Sequence, residues 1–117
     1  MGDSGGNRVF YRLIRSNVPE EWDFLSQKLQ GNPLRNPDER ERWARGVSVF
    51  ERTQAAMNIA LRIKPPMPYM VKLVIPDTCT LRIEPWGSRF HATIWDADPL
   101  ELLGYVEGPA ALVLPEQ

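Results

Sequence analysis

One cysteine, Cys79, and one histidine, His91, are all the chain holds of the two residue types from which most small metal sites are built. A lone cysteine excludes an internal disulfide, and the pair falls short of every usual four-ligand zinc pattern, so no metal is expected. Charge of one sign is lacking as well. Fourteen Lys and Arg stand against fifteen Asp and Glu, and a net charge of −1 sets up no global field toward nucleic acid or anionic lipid. No apolar run is long enough for a transmembrane helix, so no membrane partner is expected. A P-loop is missing too, and the opening residues MGDSGGN lack the basic start and apolar stretch of a signal peptide. These absences point to a cytoplasmic protein whose residues 1–7 form a flexible tail.

What is present is globular material. Hydrophobic residues at 43% and charged residues at 25% sit far from the composition of disorder, and 117 residues suit one core, so 8–117 is expected to form a single domain. Residues 8–15 (RVFYRLIR) are aromatic and β-branched with apolar groups on both faces, which predicts a central strand with Arg12 as its odd member. Ser16, Asn17 and the run Pro19-Glu20-Glu21 form a helix start, after which Trp22, Leu25 and Leu29 make a buried stripe. A shorter surface helix follows from Pro37, its charges (DERERWAR) facing water and Gly46 closing it. Residues 47–50 (VSVF) alternate as a strand, and 52–63 read as a helix with Ala56, Ile59, Ala60 and Ile63 on one face. Strands are then predicted over 69–75, over 79–84 as half of a hairpin, and over 89–95 with Phe90, Ala92 and Ile94 inward. A single helical turn after Asp98-Pro99 precedes a last strand over 105–114, interrupted at Gly108-Pro109. The order β-α-α-β-α-β-β-β-α-β describes an α+β single domain with a mostly antiparallel sheet and two to three helices.

Few side chains here suit chemistry. An arginine in mid-strand is buried only when paired or lining a cleft, and its planar fork fits phosphate, which makes Arg12 a ligand-binding candidate. His91 is the one group whose ordinary pKa allows proton exchange near neutrality, which makes it a catalytic candidate. It shares a predicted strand face with Thr93 and Trp95, and Trp95 offers an aromatic wall for a flat ring. Ser48 lies between two valines with a hydroxyl that needs a partner, and no G-x-S-x-G elbow surrounds it to suggest a hydrolase nucleophile. Asp96 and Asp98 read as turn and cap groups.

Three pieces carry a resemblance: Tyr11-Arg12 on an early strand, Gly46-Val47-Ser48-Val49-Phe50 running into a helix, and the strands that follow. In these the chain resembles small bacterial domains of the ADP-ribosyltransferase-like class, to which RES-type toxins and RNA 2′-phosphotransferases belong. The resemblance implies that Arg12 holds dinucleotide phosphate or ribose and that Ser48 lies beside nicotinamide. It also implies a late-strand glutamate, for which Glu107 is the candidate, stabilising an oxocarbenium-like transition state. NAD would then be a substrate, and no separate cofactor is implied. Two other readings stand beside this nucleotide-binding one. The first is a non-catalytic interaction module with a protein partner, such as a toxin–antitoxin or effector–immunity component, working through the early helices and the loop over 31–37. The second is a small ribonuclease using His91 with Arg82 or Arg89.

Overall fold

The computed structural model describes residues 7–63, 66–87 and 89–113. Six strands form one antiparallel sheet: β1 (Asn7–Ile14), β2 (Gly46–Phe50), β3 (Tyr69–Pro76), β4 (Arg82–Pro85), β5 (His91–Trp95) and β6 (Val106–Leu112). Their spatial order is β4-β5-β2-β1-β3-β6, which places β1 centrally, as its two apolar faces require. Three helices accompany them: α1 (Arg40–Arg45), α2 (Thr53–Ala60) and α3 (Pro99–Gly104). The α+β class, the antiparallel sheet and the predicted element order all hold. Asn7, expected in the tail, is the first residue of β1, and residues 1–6 and 114–117 lie outside the described residues.

Alternation along the strands sorts the side chains into two layers. Phe10, Ile14, Val47, Val49, Val71, Leu73, Ile75, Ala92 and Ile94 fill one face, sealed by Phe24 and by Leu102 of α3. Leu13 and Phe50 point to the other face and pack against Ala56 and Ala60 of α2. Asp98 caps α3 by accepting from the Leu100 amide at 2.9 Å, with Pro99 in the first turn. Among the described residues no helix is long and apolar enough to cross a membrane.

The helix expected from Pro19 stops after one 3-10 turn, Glu21–Phe24. An α-helix needs each carbonyl to accept from the amide four residues on. Here the Asp23 carbonyl accepts from Arg12 Nε at 2.7 Å, while the Trp22 carbonyl accepts from the Leu25 amide and from Gln30 Nε2. With those acceptors occupied, Leu25 turns extended and the predicted stripe does not form. Phe24 is the segment's buried hydrophobic residue, with Asp23 buried beside it, and Leu29 is 64% exposed.

Three smaller expectations shift. The strand over 79–84 contracts to β4, which forms its hairpin with β5, although Cys79, Leu81 and Ile83 do pack on the core side. Phe90 adopts a φ of 63°, which takes it out of the inward row, and β5 begins at His91. The last strand runs through Gly108-Pro109, absorbing the irregularity as a register shift against Met70 and Lys72 with Gly108 at a φ of 77°.

Candidate functional site

The site grows from the pairing of β2 with β5. Ser48 lies opposite Thr93 and Phe50 opposite His91, so Ser48, Thr93 and His91 share one face and Ser48 and His91 are diagonal neighbours. Ser48 Oγ and His91 Nε2 are 2.5 Å apart. The imidazole stacks on Phe50 with centroids 4.8 Å apart and planes inclined by 16°, which fixes the ring.

Arg42 of α1 completes the cluster. Its Nε donates to Thr93 Oγ1 at 2.8 Å and its Nη2 to Ser48 Oγ at 3.0 Å, with His91 Nε2 at 3.1 Å from the same Nη2. Its Nη1 donates to Glu39 Oε1 at 3.3 Å, and its guanidinium carbon lies 5.1 Å from the centre of the Trp86 ring. A guanidinium has no acceptor, so its contact with Nε2 requires the lone pair there and puts the ring proton on Nδ1. Ser48 then accepts from Arg42 and donates its own proton to His91. Burial, reinforced by the charge of Arg42 and only partly offset by Glu39, pushes the His91 pKa down to about 4, so the ring is neutral at pH 7. Burial lowers the Arg42 pKa as well, against the opposing pull of Glu39.

Gly46 makes this approach feasible. A Cβ there would meet Thr93 Cγ2 at 2.7 Å and the Arg42 carbonyl at 2.8 Å. Only a residue without a side chain lets α1 lie close enough for Arg42 to reach across β2.

Arg12 reaches the same place from the other side of the sheet. Its neighbours Phe10 and Ile14 belong to the sealed face, and among the described residues β1 and β2 pair only at Tyr11↔Phe50. The gap beyond that pair is bridged by the guanidinium, whose Nη1 donates to the Ser48 carbonyl at 2.6 Å while Nε holds the Asp23 carbonyl. Arg12 is 8% exposed. Burial pushes its pKa down to about 10, with Asp23 opposing and Arg42 adding to the shift, which leaves it charged at pH 7.

A groove of about 490 Å³ opens over this arrangement. Arg12, Ser48 and His91 all line it, together with Arg15, Arg35, Arg42 and Arg62. Its apolar walls include Leu13, Trp22, Phe50, Ile59 and Met67, and among the described residues no Asp or Glu lines it. Trp22 carries Arg15 over its ring at 3.5 Å.

Two other candidates fall elsewhere. Trp95 is buried on the same strand face as His91 but packs edge-on against Trp86, with the Arg45 and Arg82 guanidinium groups near its ring, and it is not among the residues that line the groove. Glu107 lies on the edge strand β6, with β2, β1 and β3 between it and His91, and pairs with Lys72 Nζ at 3.4 Å. Arg82 is engaged by Glu84, and Arg89 lies over Phe90, so the arginine beside the histidine is Arg42. Arg42 was hidden in a segment that reads as solvated charge; Gly46 just after it was the one local sign of close packing. Among the described residues no group of three His, Cys, Asp or Glu could hold a metal ion. No protein-family model, no curated protein and no solved structure matches the chain.

Proposed function

We propose that the groove binds a phosphorylated small molecule of the nucleotide type, with NAD-like dinucleotides in the class. One observation carries this reading: among the described residues five arginines and no carboxylate line a single groove that also has aromatic and aliphatic walls. Arginine forks match phosphate oxygens in pairs, and apolar walls favour a flat ring. Among the described residues Arg35 and Arg62 make no ion pair, which leaves their donors for a ligand. The resemblance to the ADP-ribosyltransferase-like class supports the same ligand, since its Arg12 and Ser48 both line the groove. Its late glutamate does not, because Glu107 is on the far edge of the sheet, so the proposal covers binding and not ADP-ribosyl transfer.

Isothermal titration with NAD, ADP-ribose and unphosphorylated adenosine tests it. ADP-ribose and NAD should bind, adenosine much more weakly, and the affinity should fall as salt is raised. Arg35→Ala and Arg62→Ala should each weaken binding by about tenfold or more. Absence of heat from either phosphorylated ligand, or affinity equal to that of adenosine, would overturn it.

A further inference from the structure

Ser48 and His91 form more than a wall of the groove. The hydroxyl and the imidazole nitrogen are 2.5 Å apart, both groups line the groove, and Phe50 fixes the ring plane. A nucleophile needs a base within hydrogen-bond reach, and it needs positive charge where its oxygen becomes anionic. Both are in place without a strand-to-helix elbow, because the two residues meet as diagonal neighbours on paired strands. Arg42 Nη2 already donates to Ser48 Oγ, and Thr93 and Glu39 hold the rest of that guanidinium in position.

We infer that Ser48 is a nucleophile that accepts a phosphoryl group from a phosphomonoester held in the groove, with His91 as its base and Arg42 stabilising the charge. This rests on the reading of the groove as a phosphate-binding site. In the first step Ser48 Oγ forms a bond to phosphorus, and the bond from phosphorus to the alcohol oxygen breaks. The serine proton passes to His91 Nε2, which then gives it to the departing alkoxide. In the second step water attacks the phosphoserine phosphorus and gives a proton to His91. The Ser48 oxygen–phosphorus bond breaks, and the serine takes that proton back. The sum is phosphomonoester plus water giving alcohol plus inorganic phosphate, with no oxidant or second substrate. A neutral His91 is in the form that the first proton transfer needs.

The test uses the whole chain with p-nitrophenyl phosphate. The wild-type protein should release p-nitrophenol, and acid quenching followed by peptide mass mapping should find a phosphoryl group on Ser48. Ser48→Ala and His91→Gln, purified in parallel, should each lose about 100-fold or more of the release. No release by the wild-type protein, or release unchanged in Ser48→Ala, overturns the inference, and the wild-type measurement stands even if a variant folds poorly. Titration of the same preparations with inorganic phosphate and ADP-ribose separates the two readings. Binding without phosphoserine or turnover removes the nucleophile and keeps the binding site, whereas absence of binding removes both.

Discussion

The two faces of the sheet are made by the same strands and filled by opposite chemistry. On one, β2 and β5 contribute Val47, Val49, Ala92 and Ile94, closed under Phe24 and Leu102. On the other they contribute Ser48, Thr93 and His91, closed under Arg42. Each has a fully buried member, Thr93 matching Ile94, although Ser48 and His91 are only partly buried. The difference lies in how each tolerates change. Apolar burial is non-directional and roughly proportional to area, so a small loss there is graded. A buried polar cluster holds only while every donor meets an acceptor, and removing one member strands the rest.

The largest test of that contrast is Arg12, the one buried charged side chain of β1. Arg12→Met keeps most of the volume and the aliphatic stem while leaving the Asp23 and Ser48 carbonyls without their donor, and it should cost about 2–4 kcal/mol in chemical denaturation. A variant as stable as wild type would show that β1 and β2 do not depend on this bridge. An intermediate effect is expected from pH. The folded-state pKa of His91 is depressed from 6.5 to about 4, so between those values the unfolded chain binds a proton that the folded chain refuses. Stability from this residue is therefore present above pH 6.5, is lost as pH falls toward 4, and changes no further below. Thermal melts at pH 7 and pH 5 should show a drop that is smaller in His91→Gln; an identical drop in both would place the sensitivity elsewhere. The smallest effect belongs to Glu107, whose ion pair with Lys72 is exposed on both sides. Glu107→Gln should change stability by less than about 0.5 kcal/mol and leave ADP-ribose affinity untouched. A loss of affinity would bring the far edge of the sheet back into the site.

Much of the fold was legible because its signals are local. The two-sided pattern of residues 8–15 predicts a central strand, the Asp98-Pro99 cap predicts α3, and the spacing of Ala56 and Ala60 predicts the buried stripe of α2. The site was legible only in part. Arg12, Ser48 and His91 could be singled out one by one, but the contact between Ser48 and His91 spans 43 residues and depends on which strands pair. Arg42 could not be told from its charged neighbours, since a run of charges looks the same whether one member points inward or none does. The failed helix after Pro19 has the same origin: Asp23 loses its carbonyl to an arginine eleven residues earlier, and no local propensity records such competition.

The parting of β1 from β2 divides the sheet into two three-stranded blocks, β4-β5-β2 and β1-β3-β6. A single backbone register pair and the guanidinium of Arg12 join them directly, and α2 packs across both. This seam is where partial opening of the molecule should begin, so the β2 amides facing it should exchange with solvent sooner than those at the centre of either block. Because the groove runs along the same seam, a ligand seated there would act as a clasp. Its binding should slow exchange in both blocks together, making the rigidity of the sheet itself a readout of occupancy.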